Sequence, residues 1–228
     1  MGIEGALFDF SGTTFRLEEK ESWFTGGGDG WTPDVHEAAE IMRRMTAPVG
    51  QSIAFDAEGQ RAWDARDLDP ALHRHAYLAV LRGSGVPEAA AERLYGRLVD
   101  PAEWAPYADT GAVLETLADR GIRVGIVSNI AFDIRPAFAA RGWDRFVDVM
   151  ALSYEIGAAK PDPAIFRHAI ERLGTDPART LMIGDSDAAD GGVRAVGGQF
   201  ALVDPLPIAQ RPRALTDALA AHGITVPG

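Results

Sequence analysis

Four short stretches of this chain carry residues able to do chemistry together. Asp9 stands in Phe8-Asp9-Phe10-Ser11-Gly12-Thr13-Thr14, at the end of an apolar run. An aspartate at the carboxyl end of a buried strand lies where open α/β sheets bind ligands. Gly12 lets the backbone turn and bring its N–H groups close to an anion. Ser128 and Asn129 end a second apolar run and offer neutral donors for phosphate oxygens. Lys160 lies in Gly157-Ala158-Ala159-Lys160-Pro161-Asp162-Pro163, where two prolines stiffen the backbone. Asp185 and Asp190, in Ile183-Gly184-Asp185-Ser186-Asp187-Ala188-Ala189-Asp190, can converge on one hard cation that prefers oxygen ligands. Asp187, between them, suits the start of a helix. Taken singly, each stretch is ordinary: Asp and Gly are turn residues, Ser and Asn cap helices, and a lone Lys is normally a solvated charge.

The elements that would position these residues are legible around them. Short apolar runs occur at Ile3–Phe8, Arg123–Val127, Phe146–Leu152, Thr180–Ile183 and Phe200–Val203. Their length and continuous apolarity predict strands buried on both faces of a parallel sheet. Helical periodicity lies between them, over Thr110–Arg120 and Pro163–Leu173, with weaker patterns over Ser186–Val196 and Leu206–Ala221. Alternating strand and helix predicts an α/β fold with a doubly wound parallel sheet. The stretch 15–104 breaks that alternation. It opens on the glycine cluster Thr25–Gly30 and continues with helical patterns near Pro33–Met45, Pro70–Gly83 and Pro87–Val99. We expect a core domain from 1–14 and 105–228, and a helical cap domain from 15–104.

Bulk composition narrows the function. The chain has 228 residues, 46% of them hydrophobic, which suits a folded domain with a sizeable core. A net charge of −11 without a stripe of Lys and Arg argues against a nucleic-acid partner. The absence of cysteine excludes disulfides, thiolate catalysis and Cys-ligated zinc. No apolar stretch approaches the length of a membrane span, so a cytoplasmic location without a membrane partner is the default expectation.

The conjunction of the four stretches, in this order and between these strands, resembles the haloacid dehalogenase (HAD) superfamily. Its pattern is Asp-x-Asp-Gly-Thr, then a Ser/Thr strand end, then a Lys, then Gly-Asp-Ser-x-x-x-Asp. The inserted helical region resembles the C1-capped subgroup. The resemblance implies Asp9 as nucleophile, attacking phosphorus to form an aspartyl-phosphate that water hydrolyses. It implies Mg²⁺ as cofactor, held by Asp9, the Ser11 carbonyl, Asp185 and Asp190. It implies Lys160 balancing Asp9 and Asp185, and a phosphate cradle of Ser128, Asn129, Gly12, Thr13 and Lys160. Thr13 would help to orient Asp9.

One position departs from the pattern. Two residues after the nucleophile, the phosphatases of this superfamily usually carry a second Asp that acts as general acid and base. Here it is Ser11, whose hydroxyl cannot fill that role. Replacements inside the insert are Glu18, Glu19, Asp29, His36, His73 and His75. Three readings follow. The first is a Mg²⁺-dependent phosphatase or phosphotransferase acting on a small phosphorylated molecule. The second is a phosphonatase or dehalogenase of the same fold. The third is a non-catalytic binding protein. A phosphonatase would need a cap lysine, and the insert offers only Lys20. A metal-free dehalogenase would leave Asp185 and Asp190 beside Asp9 without a cation.

Overall fold

Apolar side chains on successive strand residues must find cover on both faces of the sheet, and this requirement sets the architecture. A computed structural model describes residues 2–18, 20–24, 30–46 and 53–227. In chain order the strands are β1 (Gly5–Phe8), β2 (Phe15–Leu17), β3 (Trp104–Pro106), β4 (Arg123–Ser128), β5 (Val149–Leu152), β6 (Thr180–Gly184) and β7 (Gln199–Leu202). The helices are α1 (Val35–Thr46), α2 (Ala57–Ala65), α3 (Pro70–Gly83), α4 (Glu88–Leu98), α5 (Thr110–Asp119), α6 (Arg135–Ala139), α7 (Ser153–Ile156), α8 (Pro163–Leu173) and α9 (Ala214–Ala221). Five strands form one parallel sheet in the order β5-β4-β1-β6-β7, with β1 at its centre.

The two-residue period of the strands divides the core into two layers. Ala6, Phe8, Val124, Ile126, Leu181 and Ile183 point to one face, where Val113, Leu114 and Leu117 of α5 and Leu215 and Leu219 of α9 cover them. Leu7, Val127, Ala151 and Met182 point to the other, beneath Ile165, Phe166, Ala169, Ile170 and Leu173 of α8. Helix α8 runs over the residues its sequence predicts. Asp162 caps its start through Ala164 N, and Gly174 ends it with a left-handed backbone.

Between β1 and α5 the chain leaves this sheet. It passes through the antiparallel pair β2–β3, which the sequence reading did not anticipate, and enters α1 to α4. None of the described residues of this insert joins the five-stranded sheet. Helix α2 was also not foreseen; Asp56 caps it by accepting from Gly59 N at 2.7 Å. The pattern over Ser186–Val196 forms a 3₁₀ segment, Asp190–Val196, because Gly191 and Gly192 favour a tighter, less regular turn. The pattern over Leu206–Ala221 becomes helical only from Ala214, after Pro205, Pro207 and Pro212. Rings join insert and sheet layers: Phe10 stacks on Phe15 with centroids 4.9 Å apart and lies 5.0 Å from Trp104. Among the described residues no helix is long and apolar enough to cross a membrane.

Phe166 is fully buried between α8 and the sheet. Phe166→Ala is expected to lower unfolding free energy by about 3–5 kcal/mol. Val35→Ser, at a position 72% exposed, should change it by less than about 0.5 kcal/mol. Urea unfolding followed by circular dichroism measures both.

Candidate active site

The carboxyl ends of β1, β4 and β6 lie side by side, so the residues that follow them converge. Asp9 follows β1, Ser128 ends β4, and Asp185 follows β6. Lys160 arrives from the loop before α8 with its ammonium group buried. Its Nζ donates to Asp9 Oδ1 at 2.6 Å, to Asp190 Oδ1 at 2.7 Å and to the Val127 carbonyl at 2.8 Å. All three ammonium protons are therefore engaged. Its hydrogen-bonded carboxylates are Asp9 and Asp190, and its charge also acts on Asp185, which it was expected to balance together with Asp9. Asp190 is drawn in by its own turn, since its Oδ2 accepts from Ser186 N at 3.0 Å.

Asn129 does a different job from the one expected of its side chain. Its Oδ1 accepts from Lys160 N at 2.7 Å and its Nδ2 donates to Lys160 O at 2.9 Å. This two-point grip fixes the backbone from which the lysine reaches inward. Thr13 Oγ1 is buried with no hydrogen-bond partner among the described residues. Thr14 Oγ1 donates instead to the Asp9 carbonyl, at 2.9 Å. Gly12 has φ of +76°, and a Cβ there would run into the Asp185 carboxylate. A side chain at Gly184 would occupy the place of Asp190.

The charges do not balance. Asp9, Asp185 and Asp190 place ligand oxygens within 4.8 Å of one another, with one ammonium group among them. Burial, opposed by Lys160 and reinforced by Asp190, pushes the Asp9 carboxyl up to about 6. Burial, then Asp9 and Asp190, pushes Asp185 up to about 7. Burial works against the charge on Lys160, but Asp190 and Asp9 outweigh it and raise its pKa. Three carboxylates and no nitrogen or sulfur ligand make a donor set that fits a hard divalent cation. Such a cation would take up the charge left by the single lysine.

The cluster opens into a cavity of about 590 Å³ between the sheet and the helical insert. Ser11, Gly12 and Ser128 line its floor, and Arg66, Asp67, His73, Tyr77, Trp104 and Phe132 line its sides. Among the described residues, His73 alone of the proton carriers considered in the insert reaches this cavity. Burial pushes its pKa down to about 4, and it meets Tyr95 Oη at 3.1 Å, so it is neutral at physiological pH. Glu18 accepts from Ile208 N at 2.8 Å, Lys20 pairs with Glu103 at 2.7 Å, and His36 and His75 are exposed. Asp187 is exposed and pairs with Arg194. Glu19 and Asp29 lie outside the described residues. Asp67 was not foreseen. Burial raises its pKa, with Arg66 and Lys160 opposing, and Ser153 Oγ donates to its carbonyl at 2.5 Å. Nothing local in the sequence marks it, because only the packing of the insert over β4 and β5 brings it to the site.

The comparisons agree with this geometry. A family model described as haloacid dehalogenase-like hydrolase matches residues 3–195. The mouse (Mus musculus) haloacid dehalogenase-like hydrolase domain-containing protein 3 is 32% identical over 143 residues, covering 59% of this chain and 57% of that protein. A phosphoserine phosphatase of Thermus thermophilus is 28% identical over 169 residues, covering 71% of this chain and 64% of that protein. The chain spans about half the length of several curated relatives it matches, at 57%, 41% and 48%. Among solved structures, the L-2-haloacid dehalogenase of Xanthobacter autotrophicus superposes with a TM-score of 0.65 at 21% identity. It covers 96% of this chain and 81% of its own, a likeness of fold.

The raised pKa values of Asp9 and Asp185 carry a consequence for stability. Both folded-state values lie above the ordinary 3.8, so between about pH 4 and 7 the metal-free fold holds protons that the unfolded chain releases. That contribution to stability is fully present below about pH 4 and is lost as pH rises through 6 to 7. Asp185→Asn removes one of the repelling charges. With chelator present, its melting temperature should exceed that of wild type at pH 8, by roughly 2–4 °C for each kcal/mol of repulsion relieved. The gain should shrink severalfold by pH 4.5. An equal gain at both pH values would mean that the carboxylates do not repel.

Proposed function

The chain belongs to the haloacid dehalogenase-like hydrolase family, and from that premise we propose a Mg²⁺-dependent phosphatase or phosphotransferase acting on a small phosphorylated metabolite. The observation that carries the reading is the cluster of buried Asp9 and Asp190 and half-buried Asp185 beside Lys160, opening on a cavity of about 590 Å³. In this reading residues 1–14 and 105–228 are the catalytic core, and 15–104 is a C1-type cap that shields the reaction from water.

Asp9 is the nucleophile. Its free carboxylate oxygen attacks phosphorus, the bond to the leaving oxygen breaks, and an aspartyl-phosphate forms. Asp9, the Ser11 carbonyl and Asp185 would hold Mg²⁺, with Asp190 beside them; when bound, the ion neutralises the meeting anions and polarises a phosphoryl oxygen. Lys160 keeps Asp9 in one rotamer. Ser128 and the N–H groups of Thr13 and Asn129 receive the phosphoryl oxygens.

The proton that Ser11 cannot supply comes, in this reading, from Asp67. Burial holds this carboxyl above its ordinary pKa and closer to the pH at which it must work. It gives its proton to the leaving oxygen, then takes one from the water that attacks the aspartyl-phosphate. The dehalogenase reading leaves Lys160 as the one positive charge among Asp9, Asp185 and Asp190. The phosphonatase reading has no cavity lysine in the insert, since Lys20 is engaged by Glu103 at the surface.

Mg²⁺-dependent hydrolysis of an aryl phosphate, lost in Asp9→Asn and in chelator, tests the reaction. Activity that survives chelation would return the chain to the metal-free dehalogenase reading. Asp67→Asn tests the proton donor: it should cost about 10²–10⁴-fold in kcat/KM on an alkyl phosphate, whose leaving group needs protonation. On an aryl phosphate with an acidic leaving group the same variant should lose far less. Equal losses on both esters would remove Asp67 from the proton transfer.

A further inference from the structure

The segment that follows β7 lies beyond residues 3–195, the span that the family model matches, and yet it reaches the loop that carries Asp9. Arg211 is only 3% exposed. Its Nη1 donates to the Gly12 carbonyl at 2.6 Å and to the Asp204 carbonyl at 3.3 Å, and its Nη2 donates to the Thr13 carbonyl. The guanidinium lies over the Tyr107 ring, 3.3 Å from the centroid. Tyr107 Oη donates in turn to the Leu206 carbonyl at 2.9 Å.

A buried guanidinium is expensive to keep. Burial pushes its pKa down, while Tyr107, Asp109 and Asp185 push back. Its Nε has no hydrogen-bond partner among the described residues. The loop does not need this cation merely to turn, because it already has its own backbone bonds. Gly12 N donates to Phe15 O at 2.8 Å, and Thr14 N and Phe15 N donate to Phe10 O at 3.1 and 2.8 Å. What Arg211 adds is orientation. In a trans peptide unit the C=O and N–H point in opposite directions. With the Gly12 and Thr13 carbonyls drawn to one cation, the N–H of Thr13 faces the other way. A positive charge at the carbonyl end also polarises that unit and strengthens its N–H as a donor.

We propose that Arg211 is a positioning residue for the nucleophile loop, holding two successive peptide planes so that Asp9 and the Thr13 N–H meet an incoming phosphoryl group in one geometry. Neighbouring bonds brace the same segment, since Arg16 Nη1 donates to Pro205 O at 2.6 Å and Ile208 N donates to Glu18 at 2.8 Å. The catalytic part of this inference rests on the phosphatase reading; the structural part rests on the hydrogen bonds alone.

Arg211→Ala and Arg211→Lys, compared with wild type in two arms, test it. In hydrogen exchange on the folded proteins, the Gly12, Thr14 and Phe15 amides of Arg211→Ala should exchange about 10-fold faster or more, and the β4 amides should not change. In Mg²⁺-dependent aryl phosphate hydrolysis, kcat should fall about 10- to 100-fold while KM stays within about 3-fold. Millimolar guanidinium ion should restore part of the lost kcat. Arg211→Lys, able to reach one carbonyl in place of two, should fall between, and it carries both arms if the alanine variant does not fold. Unchanged kcat in a folded variant overturns the proposal, whether or not the loop exchanges faster. So does a loss of kcat that only tracks thermal stability and that guanidinium does not relieve. A wild type without phosphatase activity defeats the reading of the reaction instead; the exchange arm then decides alone whether Arg211 holds the loop.

Discussion

A dry site cannot gather three carboxylates without positive charge, and here one ammonium group does most of the gathering. Lys160 joins the ends of β1 and β4 and the turn after β6 through Asp9, Val127 and Asp190. Its reach is fixed by Asn129, which grips the lysine backbone from the end of β4. The glycines follow from the same arrangement. Gly184 leaves the space that Asp190 fills, and Gly12 allows the loop after Asp9 to lie against Asp185. The sheet order with β1 at the centre puts these ends next to one another.

One lysine does not neutralise three aspartates, so the fold keeps an unfavourable charge where a ligand can use it. Sites of this kind trade stability for function. The raised pKa values of Asp9 and Asp185 are the signature of that trade. The loop bearing Asp9 then lies between two buried cations. Lys160 holds its carboxylate and Arg211 holds the carbonyls of Gly12 and Thr13. The first defines where the charge is, and the second defines how the backbone around it is turned.

The strands and the residues at their ends were legible in the sequence because both depend on short-range pattern. Continuous apolar runs mark buried strands, and the helix α8 announces itself through periodicity, Asp162 and Gly174. Pairings set by tertiary packing were not legible. The pair β2–β3 joins segments of three residues each, too short for alternation to register. Asn129 reads as a turn residue until the loop before α8 is laid beside it. Asp67 and Arg211 sit in polar stretches of ordinary composition, and only the folded chain brings one to the cavity and the other to the nucleophile loop. Thr14 Oγ1, one residue from Thr13, takes the bond to the Asp9 carbonyl, and Lys160 bonds Asp190 while also acting on Asp185; neighbours one residue or five residues apart are distinguished by geometry, not by type.

The central place of β1 has a consequence for how the chain is made. Gly5 pairs with Arg123 on one side and Thr180 on the other, so β1 leaves the ribosome long before either of its partners is synthesised. During that interval Gly5–Phe8, buried in the finished fold, has no ladder to join, and its closure over long loops makes folding slow relative to a chain with local contacts. An apolar strand left unpaired is an invitation to association between nascent chains. Phe10, two residues beyond β1, packs against Phe15 and Trp104 from the two ends of the insert. That cluster can shelter the segment next to β1 once the insert is complete, well before the second half of the sheet exists.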